Sequence, residues 1–385
     1  MTAIKQYQDI RDAVAKLCAL YPGEYWQSLD ADHAYPTDFV NALTESGYLS
    51  ILIPEQYGGA GLPLSAACAV LEEIQRSGCN GGACHAQMYT MGTLLRHGSE
   101  QQKQQYLPAI ARGELRLQAF GVTEPGSGTD TTRITTRAQR DGDDYVVSGQ
   151  KVFISRTEHS DLMVLLVRTS AREESAKPTN GMSVLLVDMR EAVGNGLTIK
   201  PIKTTMNHAS TELFFDNLRV PAKNLIGEEG RGFSYIVDGM NAERILIAAE
   251  CIGDARFFVE QASRYAQERE VFGRPIGLNQ GVQFPIARAH IQTEAADAIV
   301  TRAATLFEQG ESCGTEANMA KLLASEASWQ AGDTCIQTFG GYGFATEYNI
   351  ERKFRETRLY QVAPISTNLI LSHVATHELG MPKSF

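Results

Sequence analysis

Phe120-Gly121-Val122-Thr123-Glu124-Pro125-Gly126-Ser127-Gly128-Thr129-Asp130 is the stretch around which the chain is organised. Its glycines expose backbone N–H groups beside the hydroxyls of Thr123, Ser127 and Thr129, an arrangement that can cradle phosphate oxygens or a polar planar ligand. Taken alone, the same residues make an ordinary Gly/Pro turn between domains. The string has neither the G-x-G-x-x-G spacing of a dinucleotide fold nor the G-K-[ST] ending of a P-loop.

The texture of the chain differs on the two sides of this string. From Lys5 to about Gly113, apolar residues recur three or four apart in Phe39 to Gly47, Ala66 to Ile74 and Gln101 to Ile110, which predicts helices punctuated by Ile53-Pro54 and Gly58-Gly59. From about Phe120 to Pro221, short β-branched or aromatic runs follow: Tyr145-Val146-Val147, Leu162 to Val167, Met182 to Val187 and Leu213 to Phe215. Gly, Asp, Asn and Pro separate them at strand-like spacing, so this is a β region. From Gly230 long amphipathic patterns return, including Arg244 to Ala266 and Ala317 to Thr338, the latter stopped by Gly340-Gly341. No repeat of fixed period is visible, which excludes a solenoid or propeller.

Length and composition narrow the function. With 385 residues, a core shared by about two or three domains is expected. Hydrophobic residues at 43% and charged residues at 21% are those of a folded globular chain. A net charge of −10 disfavours nucleic acid and anionic membranes as partners, because either needs a clustered positive field. Apolar runs such as Leu162 to Val167 and Ile245 to Ala249 fall far short of the roughly 18 residues that cross a bilayer. Ile4 through Ala19 reads as an amphipathic helix and not as a leader, so a cytoplasmic location is expected. The seven cysteines are scattered, reduced thiols are expected, and Cys79-x4-Cys84-His85 lacks a second ligand pair, so no metal is expected.

Three more strings settle the kind of protein: Ser148-Gly149-Gln150-Lys151-Val152-Phe153-Ile154-Ser155, Tyr265-Ala266-Gln267-Glu268-Arg269-Glu270-Val271-Phe272-Gly273, and Gln337-Thr338-Phe339-Gly340-Gly341-Tyr342-Gly343-Phe344. Together with the first, in this order and at these separations, they resemble the acyl-CoA dehydrogenase family. Pro54-Glu55-Gln56-Tyr57-Gly58-Gly59 and Tyr106-Leu107-Pro108 extend the resemblance along nearly the whole chain. It implies an α+β fold with an N-terminal helical domain over 1–118, a central β domain of barrel or sandwich type over 119–224, and a C-terminal four-helix bundle over 225–385. It also implies FAD at the junction of these domains and a homotetramer.

Site residues follow from the same resemblance. Phe120, Thr123 and the backbone of Val122 and Gly128 match positions at the flavin ring, and Thr129 matches a hydroxyl near the flavin and the thioester. Phe153 and Ser155 stand where the family usually has Trp and Thr against the isoalloxazine. Arg269, Phe272, Gln280, Gln337, Gly340 and Gly341 match positions that hold the FAD pyrophosphate and adenosine, largely across a subunit interface, with Ser366 and Asn368 as further cofactor contacts. Arginine suits such a place because its planar fork makes two parallel charge-assisted bonds to phosphate.

The base is where this chain departs from many relatives. Taking an α-proton from a thioester near neutral pH needs a carboxylate in a dry pocket, where desolvation raises its pKa. Many family members place that glutamate in a Tyr-Glu-Gly-Thr string; here Arg355-Glu356-Thr357 leads into Ala363-Pro364-Ile365-Ser366, with Pro364 at its position. In isovaleryl-CoA and long-chain dehydrogenases the glutamate instead precedes an arginine on an earlier helix, and Asn241-Ala242-Glu243-Arg244 matches that pattern. Glu243 is therefore the expected base, against the plainer role of a first-turn acid favourable to a helix dipole. Asn241, Arg244, Thr129, Pro364 and Ile365 are expected at the substrate. His208, within Met206-Asn207-His208-Ala209-Ser210, is expected on the surface of the β domain without a catalytic role.

The expected activity is α,β-dehydrogenation of an acyl-CoA or acyl-carrier thioester, with electrons passed to an electron-transfer flavoprotein. Two rivals share the fold: a flavin oxidase or monooxygenase, and a non-catalytic acyl-CoA binding protein suggested by Pro364. A third, a serine hydrolase built on Ser155, His159 and Asp161, lacks a G-x-S-x-G elbow.

Overall fold

The computed structural model describes residues 7–172 and 176–383. Of the helix expected from Ile4 to Ala19, the described part is α1, Gln8–Cys18, and Ile4 to Gln6 lie outside the described residues. The chain forms two compact units: one of Met1–Asp32, Pro63–Gly81 and Asn241–Phe385, the other of His33–Leu62 and Gly82–Met240.

The helical unit contains α1, α2 (Gly23–Asp32) and α4 (Leu64–Arg76), and, later in the chain, most of α8 (Gly232–Glu268). It is completed by α9 (Gln280–Glu308), α10 (Gly314–Phe339), α11 (Ile350–Arg358) and α12 (Thr367–His373). Small residues face the core here: Ala255, Ala262, Ala289, Ala331 and Cys335 are buried around Phe258 and Phe339. One close approach is at Gly253, where an added Cβ would lie 2.2 Å from Glu72 O, so only glycine lets α8 lie against α4. As expected, α10 stops at the glycine pair, with Gly340 at φ 61.

A buried set of charges ties this unit together. Arg11 donates to Glu72 at 2.7 Å, Arg256 bonds Glu72 and, at 2.9 Å, Asp297, and Lys353 meets Asp254 at 2.5 Å with both side chains fully buried. Such pairs add little net stability when intact, but losing one partner typically costs about 3–5 kcal/mol.

The other unit is built on an eight-stranded sheet of β1 (Leu117–Gly121), β2 (Arg137–Asp141), β3 (Asp144–Ser155), β4 (Leu162–Arg168), β5 (Met182–Asp188), β6 (Leu197–Pro201), β7 (Ser210–Pro221) and β8 (Leu225–Ile226). The order is β6-β7-β3-β2-β4-β5-β8, with β1 parallel on β4 and most other pairs antiparallel. Every residue of β4 is buried because both faces are covered. Leu162, Val164 and Leu166 face a core shared with Met91 and Leu94 of α5 (Gly82–His97) and Leu107 and Ile110 of α6 (Glu100–Ala111). Met163, Leu165 and Val167 face the opposite core, with Tyr145, Val147, Leu213 and Phe215. Each such side chain contributes roughly 1.5–3 kcal/mol on burial. The start of α6 is fixed by a capping box: Ser99 Oγ accepts from Gln102 N, and Ser99 N donates to Gln102 Oε1 at 2.9 Å.

All seven cysteines are unbridged and buried. Among the described residues no group of three or more His, Cys, Asp and Glu is placed to hold a metal, and no helix is long and apolar enough to cross a membrane.

Candidate functional site

The glycine-rich string is a built loop, held from beneath by one buried ion pair. Strand β1 delivers the chain to Val122, and Glu124 and Ser127 then close a tight turn by exchanging backbone bonds at 3.1 and 3.0 Å. The Glu124 carboxylate points inward and accepts from Thr135 N at 2.6 Å, Thr136 N at 2.9 Å and Lys151 Nζ at 2.9 Å. Lys151, wholly buried, also donates to Val122 O at 3.0 Å. Burial acts to raise the Glu124 pKa, but Lys151 and the threonine bonds overcome it and leave it below the ordinary carboxylate value. Burial pushes Lys151 down to about 8 against the pull of Glu124. Both residues lie inside the quoted strings, yet nothing in their spacing marked them as a pair.

The loop's outer side is open. Gly126 and Gly128 have no atom of the described residues within 4 Å of a built Cβ. Val152 N donates to Thr123 O at 3.0 Å, which lays the Phe153 to Ser155 segment beside the loop. There β3 bulges, Phe153 takes φ 57, and its ring is 63% exposed, with Ser155 half-buried two residues on. Phe120, half-buried, meets Tyr89 edge-on at 5.3 Å. An exposed aromatic and a hydroxyl beside side-chain-free glycines fit a planar polar ring such as a flavin. Thr129 is exposed at the end of the loop.

Arg269 and the Gly340-Gly341 pair come together in the helical unit, and the other residues expected at the cofactor lie on its surface or in its turns. Arg269, just past the end of α8, holds its guanidinium 5.8 Å over the Tyr342 ring, next to the open glycines Gly340 and Gly341. Tyr265 stacks on Phe339 at 4.0 Å, which locks the α8 end to the α10 end. Phe272 stands at φ 56 in the turn between β9 (Glu270–Val271) and β10 (Arg274–Pro275), with its side chain 100% exposed. Gln280, Gln337 and Asn368 are exposed, and Ser366 caps α12 by accepting from Leu369 N. A cation, exposed amides and a bare ring suit the phosphates and base of a dinucleotide.

Glu243 lies well inside α8, which begins at Gly232; the first-turn position is therefore corrected, and a dipole role is removed because that effect fades within the first turn. The residue is 6% exposed, and its carboxylate makes no hydrogen bond among the described residues. Burial pushes its pKa up to about 7, opposed by Arg244. Arg244 is buried, donates to Asn241 Oδ1 at 3.1 Å and keeps its Nε without a partner among the described residues.

The turn at Pro364 is constrained from both sides. Ala363 N donates to Leu359 O at 3.0 Å, Pro364 has no N–H, and Ile365 O accepts from Lys321 Nζ at 2.9 Å. Lys321 is wholly buried on α10 and feels the charge of Arg244. This lysine went unnoticed in the sequence, where it is one polar residue in an apolar helix pattern.

Two expectations about histidines meet the structure differently. His208 is not a surface residue: it is half-buried and its Nδ1 accepts from Arg156 Nη2 at 3.3 Å, since β7 starts only at Ser210 and the segment before it folds inward. His159 stacks on Tyr35 at 4.1 Å while Asp161 accepts from Arg116 N at 2.7 Å, so Ser155, His159 and Asp161 form no triad.

Comparison with known proteins agrees along the whole chain. The family models for the acyl-CoA dehydrogenase N-terminal, middle and C-terminal domains match residues 5–114, 119–218 and 230–377. Acyl-CoA dehydrogenase FadE12 of Mycobacterium tuberculosis is 34% identical over 384 residues, covering 99% of this chain and 98% of that one. Cyclohex-1-ene-1-carbonyl-CoA dehydrogenase of Syntrophus aciditrophicus is 35% identical over 358 residues, covering 92% and 85%. Butyryl-CoA dehydrogenase from Megasphaera elsdenii superposes with a TM-score of 0.88 at 27% identity, over 97% of this chain and 99% of that structure. The chain thus belongs to the acyl-CoA dehydrogenase family, whose members are FAD-dependent oxidoreductases.

Proposed function

We propose that this enzyme dehydrogenates an acyl thioester between Cα and Cβ, with Glu243 as the base that takes the α-proton. The observation that carries the proposal is the Glu243 carboxylate itself: buried, without a hydrogen bond among the described residues, and shifted by desolvation to about 7, where it is both sufficiently ionised and sufficiently basic near neutral pH. FAD supplies the acceptor for the β-hydride. The loop from Phe120 to Thr129, with Phe153 and Ser155, holds the flavin ring. Arg269, Phe272, Gln280, Gln337, Gly340, Gly341, Ser366 and Asn368 hold the rest of the cofactor, in part across the interfaces of a homotetramer, for which the bare Phe272 ring argues.

Asn241, Arg244, Thr129, Pro364 and Ile365 line the thioester. Enolate formation needs an N–H aimed at the thioester oxygen. With Ala363 N–H engaged and Pro364 lacking one, Ile365 N–H is the donor the turn leaves, and Lys321 restrains the same residue by holding the carbonyl of the following peptide. The acyl group is carried on CoA or a carrier protein, and an electron-transfer flavoprotein accepts the electrons. The three domains run over 1–118, 119–224 and 225–385.

Anaerobic titration of the purified holoenzyme with short, branched, medium and aromatic acyl-CoAs tests this: the flavin absorbance should bleach with at least one of them. Binding of the thioesters without bleaching would make the protein a binder. Rapid peroxide formation in air without an added acceptor would make it an oxidase.

A further inference from the structure

Two of the buried, unbridged cysteines meet inside the helical unit. Cys18 ends α1 and Cys79 lies in the turn after α4; they are 3% and 1% exposed and stand 61 residues apart in the chain. Cys79 Sγ is 3.9 Å from Cys18 O and 4.0 Å from Tyr21 O, so it packs against the end of α1, and a hydrogen bond links the two thiols. A disulfide needs Cα atoms roughly 4.4–6.8 Å apart, a span that a sulfur this close to its partner's backbone allows.

The pair is chemically unequal. Lys353 Nζ donates to Cys79 O at 3.0 Å and Arg352 Nη2 to Gly78 O at 2.6 Å, which sets two cations beside Cys79. The hydrogen bond from Cys18, then Arg352, the Trp26 indole N–H and Lys353, hold the Cys79 thiol below its ordinary pKa against the effect of burial. The same bond and burial push the Cys18 thiol up, so Cys79 ionises first and the proton stays on Cys18. Burial pushes the thiols of Cys68, Cys251, Cys313 and Cys335 up as well. A thiolate beside cations is the reactive form of cysteine, whereas a thiol raised by apolar burial is inert. Lys353, itself paired with Asp254 and Glu356, anchors the Cys79 backbone. The other partner sits at a helix end followed by the exposed Ala19 and Leu20, so fraying of the last turn of α1 admits a small oxidant and brings sulfur to sulfur.

We infer that Cys18 and Cys79 form a covalent modification site, closed to a disulfide by a hydroperoxide and reopened by a dithiol, that staples the end of α1 to the turn after α4. The Cys79 thiolate attacks one peroxide oxygen; the O–O bond breaks, the leaving hydroxide takes a proton to become water, and Cys79 is oxidised by two electrons to the sulfenic acid. Cys18 sulfur then attacks Cys79 sulfur; the S–S bond forms, the S–O bond breaks, and the departing hydroxide leaves as water with the Cys18 proton. With hydrogen peroxide the sum is two thiols and one peroxide giving one disulfide and two waters. The site does not depend on the dehydrogenation proposed above.

The test takes the holoenzyme reduced with dithiothreitol, freed of it without air and treated with hydrogen peroxide, then denatured, alkylated and mapped by mass spectrometry. The expected result is the loss of two alkylatable thiols per chain, a peptide pair linked through Cys18 and Cys79, and full return of both thiols with dithiothreitol. The oxidised protein should melt about 2 °C or more above the re-reduced one, because the bridge closes a long loop of the unfolded chain. Cys18→Ala should stop at a Cys79 sulfenic acid that dimedone traps, and Cys79→Ala should keep all its remaining thiols. An unchanged thiol count, linkage of other cysteines in place of this pair, or thiol loss that dithiothreitol does not reverse overturns the site, and a melting temperature that does not rise overturns the staple. The peptide map of the parent decides the matter without either variant, should they fail to fold.

Discussion

Lys321 Nζ donates to Ile365 O across 2.9 Å from a wholly buried position on α10. A lysine without exposure is costly to bury, and burial pushes its pKa down to about 8, so its contact with one carbonyl of a turn is a strong constraint on that turn. The peptide it fixes is the one after Ile365 N–H, the donor proposed above to polarise the thioester.

Lys321→Met should thus slow flavin reduction without emptying the FAD site. A misplacement near 1 Å at the reacting carbonyl typically costs about a hundredfold. Stopped-flow reduction by the preferred thioester should show that loss in the limiting rate with a smaller change in apparent affinity, and Lys321→Arg should recover part of it. An unchanged limiting rate in a folded, yellow Lys321→Met protein would remove the role.

The pair beneath the glycine loop gives a stability prediction. Lys151→Met leaves the Glu124 carboxylate buried without its cation, so unfolding free energy should fall by about 3 kcal/mol or more. Because Glu124 is held below its ordinary pKa, its contribution is present above that ordinary value and is lost as pH falls through the lowered one. Thermal melts from pH 7 down to pH 3 should show the parent losing more stability to acid than Lys151→Met, whose glutamate has no lysine to lose.

Arg269→Ala should release FAD and loosen the assembly together, since the same exposed surface carries Arg269, Gln280 and the bare Phe272 ring. Gel filtration with absorbance at the flavin and protein wavelengths reads both at once. A variant that keeps stoichiometric FAD at unchanged affinity would place the pyrophosphate elsewhere.

Much of the fold was legible because local pattern and burial coincide in it. Leu162 to Val167 reads as a fully buried strand and is one, since a sheet covered on both faces needs apolar residues at every position. The Gly340-Gly341 stop for α10 holds because only glycine takes that backbone without strain. The helix carrying Glu243 was the harder case: its start at Gly232 precedes the clear periodicity, so a mid-helix residue looked like a first-turn acid. Lys151 with Glu124, Lys321 with Ile365, and Arg156 with His208 are partners distant in sequence, and only tertiary packing brings them together.

Glu243 ties rate and stability to one proton. Burial raises its pKa from the ordinary 4.5 to about 7, so folding favours the protonated form, and the stability this contributes is full below about pH 4.5 and lost as pH rises through about 7. The shift corresponds to something on the order of 3 kcal/mol at high pH. Base catalysis needs the ionised form, so the rate constant for flavin reduction should rise with pH through about 7 and then level off. Glu243→Gln cannot ionise: it should bind FAD and thioester, lose at least about a hundredfold in flavin reduction, and show no such rise. It should also unfold at higher temperature than the parent at pH 8, because the parent there holds a buried carboxylate whose desolvation outweighs the pull of Arg244. Stopped-flow reduction and thermal melts on the two proteins at pH 6 and pH 8 measure both effects, and a Glu243→Gln enzyme that reduces its flavin at the parent rate would place the base elsewhere.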